Sequence, residues 1–221
     1  MKIFIPLIGL FLLIAFTMQK KKRVIFFGDS ITQQGAEPGG FILKIDSIAK
    51  KSNVKENYDL IGSGISGNKV YDLYLRMEDD VLRENPDIVV IYIGVNDVWH
   101  KRLLGTGTDV DRFEGFYSAI IKKLSDKNIK IILCTPAVIG EKTDVTNEQD
   151  GDLNKYCNIV RRLAAKNNLP LIDLRKLFLE YDLKNNPENK DRGILTKDGV
   201  HLNDKGNKLV ADEMWKAISK L

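Results

Sequence analysis

The sequence predicts an α/β domain: one parallel sheet of five strands with helices on both faces. Three observations carry this. Short apolar runs alternate with amphipathic stretches along the chain. The runs are continuously apolar rather than alternating, as in strands buried on both faces. The 221 residues, 43% hydrophobic and 29% charged, suit a single globular domain whose core needs no disulfide or metal to hold it.

Val24–Phe27 is the first strand, β-branched and aromatic throughout. After the turn Pro38-Gly39-Gly40, residues 41, 42, 45 and 48 form a helical stripe over Phe41–Lys51. Asp59–Ile61 is a short strand that ends in glycines. Val70–Arg83 is helical, with Val70, Leu73, Tyr74, Met77 and Val81 on one face, and Pro86 breaks it. Ile88–Ile93 is the strongest apolar run and predicts the central strand. Asp111–Lys127 is a helix facing inward through Phe113, Phe116, Tyr117, Ile120, Ile121 and Leu124. Ile129–Cys134 is a strand stopped by Pro136. A helix over Leu153–Asn167, a short strand at Pro170–Ile172 and a last helix over Asn203–Leu221 complete the pattern. Trp99 and His100 fall in what reads as a loop after the central strand. Pro136–Gly151 and Asp182–Gly199 read as long irregular segments, and loops of that length in a compact domain tend to be functional.

Ile3–Met18 is almost wholly apolar and follows Lys2, so residues 1–20 are expected to be a secretory signal peptide or a short membrane anchor and residues 21–221 the folded domain. The chain is accordingly expected to be exported, periplasmic or secreted, with any membrane contact made through that segment alone. The formal net charge of +4 is matched by the single cluster Lys20-Lys21-Lys22-Arg23, so no distributed nucleic-acid footprint is visible. Cys134 and Cys157 have no zinc spacing and are too few for a disulfide framework; both read as buried, inert thiols.

In a parallel sheet, ligands bind beyond the carboxyl ends of the strands. Those ends carry Gly28-Asp29-Ser30, Gly62 to Gly67, Gly94-Val95-Asn96-Asp97 and Thr135-Pro136. Ester hydrolysis requires a nucleophile, a base, a group that orients the base, and donors for the oxyanion. Ser30 is the candidate nucleophile, though a serine after a strand also serves as a helix N-cap. Of the two histidines, His201 has Asp198 three residues earlier, with Gly199 allowing the bend, so the carboxylate can reach Nδ1. The backbone N–H groups of Ser30 and Gly67 and the side-chain amide of Asn96 are candidate oxyanion donors. Taken alone, Gly94-x-Asn96-Asp97 reads first as a polar turn closing a strand.

Together these segments resemble the SGNH hydrolases, the GDSL-type esterases and lipases. Gly28-Asp29-Ser30, Gly67, Gly94-Val95-Asn96-Asp97 and Asp198-x-x-His201 occur in the order of that family's blocks, from about Val24 to the C-terminus. Ile31 replaces the family's leucine, and Gly62 stands where many relatives have asparagine. The resemblance implies a three-layer α/β/α sandwich of flavodoxin-like topology, a Ser30–His201–Asp198 triad, an oxyanion hole of Ser30, Gly67 and Asn96, and no metal or organic cofactor. Asp29 is expected to shape the turn and, with Trp99, to face the substrate. The expected substrate is a small ester, acetyl or short-chain, including acetylated carbohydrate. A short-chain lipid esterase, a lysophospholipase or a thioesterase on the same site is the alternative. A non-catalytic binding module predicts erosion of Ser30, Asn96 or His201, and all three are present. An anion binder would be expected to carry a G-x-x-x-x-G-K-[ST] loop, which is absent.

Overall fold

The computed structural model describes residues 20–221. The expected export segment at residues 1–20 lies, but for Lys20, outside the described residues. The chain runs β1 (Lys22–Gly28), α1 (Ser30–Gly35), α2 (Phe41–Lys51), β2 (Tyr58–Gly64), α3 (Val70–Asp80), β3 (Ile88–Tyr92), α4 (Val95–Leu104), α5 (Val110–Ser125), β4 (Lys130–Cys134), α6 (Asp150–Lys166), β5 (Leu171–Ile172), α7 (Leu174–Asn185) and α8 (Asp204–Ile218). The strands form one parallel sheet in the order β2-β1-β3-β4-β5. The predicted central strand, β3, is indeed central and buried along its whole length.

The continuous apolar runs are explained by two cores, one on each face of the sheet. Ile25 and Phe27 of β1, with Val89 and Ile91 of β3, point to the layer of α3, α5 and α6. Val24 and Phe26, with Ile88 and Val90, point to the layer of α2, α7 and α8. Successive side chains of a strand face opposite ways, so a strand covered on both sides must be apolar at every position. This is the three-layer α/β/α architecture. The Gly62 departure fits the packing: a Cβ there would stand 2.9 Å from Cβ of Ala36 and 3.1 Å from Cδ1 of Ile42.

Two elements correct the sequence reading. Trp99 and His100 lie on α4 and not in a loop. The stretch is helical because Gly94, at φ +126°, turns the chain out of β3 and Gly105, at φ +66°, ends the helix. Its outer face leaves Leu103 and Leu104 exposed, which blurs the apolar stripe. The irregular segment expected from Asp182 is also shorter, because α7 continues to Asn185. Its stripe at Leu174, Leu177, Phe178 and Tyr181 is masked in the sequence by Leu179 and Leu183, which face solvent. Among the described residues no helix is long and apolar enough to cross a membrane.

Candidate active site

All the polar segments singled out in the sequence lie at the carboxyl-end rim of the sheet. Ser30 is the first residue of α1, directly after β1. Asp29 caps that helix, its carboxylate accepting from the N–H of Ile31 at 2.9 Å. Ser30 Oγ lies 3.0 Å from Nε2 of His201. Asp198 Oδ2 lies 2.8 Å from Nδ1 of the same ring. With Nδ1–H donating to Asp198, Nε2 is left as the acceptor for the Ser30 hydroxyl, the tautomer that a base requires.

The Asp198–His201 turn is held by its own backbone. Asp198 Oδ1 accepts from the N–H of Val200 at 3.0 Å and of His201 at 2.8 Å. Gly199 has φ +94°, a conformation that disfavours any side chain. Burial raises the Asp198 carboxyl, but the hydrogen bonds from His201 and Val200 outweigh it and hold the group below the usual carboxylate range. It is therefore ionised wherever an esterase operates near neutrality, and its charge favours the imidazolium that forms during reaction.

The oxyanion candidates sit across the rim. Ser30 N–H opens α1 and has no intrahelical acceptor. Gly67, at φ +78°, turns the loop after β2. Asn96, 1% exposed on the first turn of α4, donates one amide hydrogen to the carbonyl of Asn68 at 3.1 Å and retains a second. The N–H of Ile65 donates to the Gly28 carbonyl at 3.3 Å, tying the Gly67 loop to the nucleophile's strand.

Asp29 does not face a substrate, contrary to expectation. It is 1% exposed, because its cap role turns the carboxylate under α1. Trp99 lies at the rim, its ring edge-to-face with His201 at a centroid separation of 6.3 Å. His100 sits beside the Gly67 loop, and burial followed by the Lys69 charge lowers its pKa. Cys134 and Cys157 are free and buried, and burial pushes the Cys157 thiol up to about 12.

Sequence reasoning missed three positioning residues. Arg76 of α3 donates to the Gly28 carbonyl at 2.8 Å, the Ser63 carbonyl at 3.0 Å and Asn68 Oδ1 at 2.7 Å. It thereby binds the ends of β1 and β2 to the loop that meets Asn96. Asp97, fully buried, accepts from the N–H of Val70 at 3.1 Å and fixes α4 against α3. Glu141, 1% exposed, accepts from the N–H groups of Ile194 at 2.8 Å, Leu195 at 2.6 Å and Thr196 at 2.7 Å, directly ahead of the Asp198–His201 turn. The one legible signal was Asp97, within Gly-x-Asn-Asp; Arg76 and Glu141 sit in ordinary sequence.

A serine hydroxyl on an imidazole oriented by a carboxylate, with neutral donors opposite, defines a serine hydrolase on a three-layer α/β/α fold. The chain belongs to the GDSL-like lipase/acylhydrolase family, whose model matches residues 26–209, and it is a carboxylic ester hydrolase. The crystal structure of an acetyl xylan esterase, AlAXEase, is 65% identical, with a TM-score of 0.88 over 89% of this chain and 99% of that one. An acetylxylan esterase of Geobacillus stearothermophilus is 29% identical over 177 residues, 72% of this chain and 78% of the relative. A solved catalytic mutant of Axe2, the acetylxylan esterase from that organism, superposes with a TM-score of 0.79 over 91% of this chain and 96% of that one, at 26% identity. Other solved Axe2 catalytic mutants alter a serine and an aspartate where this one alters a histidine. An isoamyl acetate-hydrolysing esterase of Schizosaccharomyces pombe is 26% identical over 211 residues, 92% of this chain and 78% of the relative.

Two buried carboxyls at the rim contribute to a pH dependence of stability. Burial pushes Asp29 up to about 7, with the Ile31 N–H opposing and the Asp97 charge adding to the rise. Burial likewise pushes Asp97 up to about 7. Unfolded aspartate titrates near ~3.9, so between about pH 4 and about pH 7 the folded state holds more protons at these two sites than the unfolded chain. Their contribution to stability therefore falls as the pH rises through that window. Asp29→Asn keeps an acceptor for Ile31 and cannot ionise, so its Tm is expected to decline less than the wild type's across the window. Calorimetric scans at several pH values check this, and parallel declines contradict the raised Asp29 pKa.

Proposed function

We propose that the protein is an exported acetylesterase that removes acetyl groups from xylan-derived oligosaccharides. The observation that carries the substrate assignment is the 65% identity, over 89% of the chain, to an acetyl xylan esterase. The named relatives differ in alcohol, xylan in one case and isoamyl alcohol in the other, but share the acetyl group. An acetyl-sized acyl site is therefore the feature most simply common to them, while the alcohol side distinguishes them.

The geometry supports a two-step acyl transfer. His201 Nε2 takes the proton of Ser30 as Oγ bonds to the ester carbonyl carbon. The negative oxygen that develops is met by the N–H groups of Ser30 and Gly67 and the amide of Asn96. Collapse breaks the bond to the alkoxy oxygen, which receives the proton from Nε2 and leaves as the alcohol. Water then enters, gives its proton to Nε2 and attacks the acetyl-enzyme. Return of that proton to Ser30 Oγ releases acetate.

The test is acetate release from acetylated xylo-oligosaccharides together with a series of p-nitrophenyl esters of rising acyl length. Acetyl is expected to be the preferred acyl group, with kcat/KM falling as the chain lengthens. Ser30→Ala is expected to lose on the order of 10⁴-fold or more in kcat, and Asn96→Ala about 10²–10³-fold. Preference for long acyl chains, or no release from any acetylated sugar, contradicts the assignment.

Export is supported by the apolar run Ile3–Met18 that follows Lys2. Expressed in a bacterial host, the full chain is expected in the exported or membrane fraction. Recovery from the cytosol with residues 1–20 intact contradicts it.

A further inference from the structure

A cleft of about 270 Å³ opens at the rim on the outer side of the triad. Its inner wall is the Asp198-Gly199-Val200 turn and Trp99 of α4. Its outer wall is the loop between β4 and α6, through Lys142, Thr146 and Gln149. Apart from Glu141, which holds the triad turn, no residue of that loop has a role in the catalysis described above.

Position argues first. The base must hand its proton to the leaving oxygen, so the alcohol portion of the ester lies on the His201 side of Ser30 and the carbonyl oxygen on the side of Asn96 and Gly67. The cleft begins on the His201 side: Asp198 lines it, and the Trp99 ring that lines it stands 6.3 Å from the imidazole.

The chemistry of the walls argues second. Lys142 makes no side-chain hydrogen bond or ion pair among the described residues, so its ammonium is unspent. Gln149 donates its amide to the carbonyl of Val98 at 3.2 Å, which turns its own oxygen into an available acceptor. Thr146 donates to Asp144 at 2.6 Å and keeps its lone pairs. With Glu148, Asp191 and Asp198 also on its walls, the cleft offers a donor, several acceptors and one aromatic residue, which match a polyhydroxylated ring, whereas an alkyl chain would call for an apolar channel.

The build of the outer wall argues third. Asn147 pins the loop, accepting from the Lys142 N–H at 3.3 Å and donating to the Lys142 carbonyl at 2.7 Å and Asp150 at 3.2 Å. On this pinned frame Val145, next to the lining residue Thr146 but not itself on the cleft wall, adopts φ +62° and is 90% exposed. A β-branched residue in the left-handed region is strained, and strain of this kind gathers at ligand-binding segments. Here it holds an apolar side chain out at the loop tip, where no core contact explains it.

We infer that this cleft is the alcohol-side subsite and binds the unacetylated xylopyranose units adjoining the one that is deacetylated, with Trp99 against a ring face and Lys142, Thr146 and Gln149 on hydroxyls. The inference rests on the acetyl-carbohydrate reading.

Two variants test it: Lys142→Ala/Gln149→Ala, which removes polar partners, and Thr146→Trp, which fills the cleft. For each, kcat/KM is measured on an acetylated xylotriose and on p-nitrophenyl acetate. The ratio of the two is expected to fall about tenfold or more from its wild-type value, mostly through KM on the oligosaccharide. Parallel changes on both substrates, or an unchanged ratio, overturn the subsite. A binding measurement covers the case of a poorly folding variant. Unacetylated xylotriose titrated into Ser30→Ala is expected to bind, and to lose that binding when Thr146→Trp is added. Absence of binding to Ser30→Ala at millimolar sugar, or binding that survives Thr146→Trp, overturns it. If the wild type hydrolyses p-nitrophenyl acetate but not the acetylated xylotriose, the acetyl-carbohydrate reading itself fails, an outcome distinct from any of these.

Discussion

The active rim depends on one contact between residues 171 positions apart, the hydrogen bond from Ser30 Oγ to Nε2 of His201. The two ends of that bond are held by different means. Ser30 is fixed by a strand inside the sheet and by the Asp29 cap at the start of α1. His201 stands on an irregular segment between α7 and α8, which no strand ladder holds. A buried carboxylate does that work: Glu141 accepts three consecutive backbone N–H groups from Ile194 to Thr196. Burying a carboxyl group is costly unless it is hydrogen-bonded, and these three backbone donors offset that cost. The short antiparallel pairing of Thr196 with Leu202 then closes the turn that presents Asp198 and His201.

The oxyanion side is built on the opposite principle, a cation satisfying carbonyls. The Arg76 guanidinium lies over the ring of Phe27 at 4.5 Å and distributes its donors among Gly28, Ser63, Asn68 and Asp80. Asn68 in turn accepts from Asn96. Arg76 can do this because its planar fork carries more donors than a lysine's ammonium and holds them in fixed directions. Donors fixed in this way need no reorientation when negative charge appears on the substrate, which is how oxyanion sites lower a barrier. The sheet supplies rigidity, and the side chains of Glu141 and Arg76 supply alignment.

The parts of this arrangement that were legible in the sequence are those whose signal is local. The inner strands β1, β3 and β4 were readable because burial on both faces leaves runs such as Ile88-Val89-Val90-Ile91 with no polar residue, while the edge strands β2 and β5 showed only as short apolar pairs, Leu60-Ile61 and Leu171-Ile172. Ser30, Asn96, Asp198 and His201 were readable because they sit in short blocks whose order along the chain resembles a known family. α4 and α7 were harder, since exposed leucines on their outer faces hide the apolar stripe. Asp29 misled because its sequence neighbours are catalytic, while its side chain turns inward to cap a helix. Glu141 and Arg76 were invisible. Each acts through backbone groups more than ten residues away, and nothing in the residues beside them records that contact.

The central claim is that His201, held on its loop, activates Ser30. The most direct measurement is covalent labelling by a fluorophosphonate, with the modified serine located by mass spectrometry and the rate compared between the wild type and His201→Ala. The account predicts label on the peptide containing Ser30, and a rate lower by on the order of 10³-fold or more when His201 is removed although the serine remains. Label on a different serine, or an unchanged rate at Ser30 without His201, contradicts it.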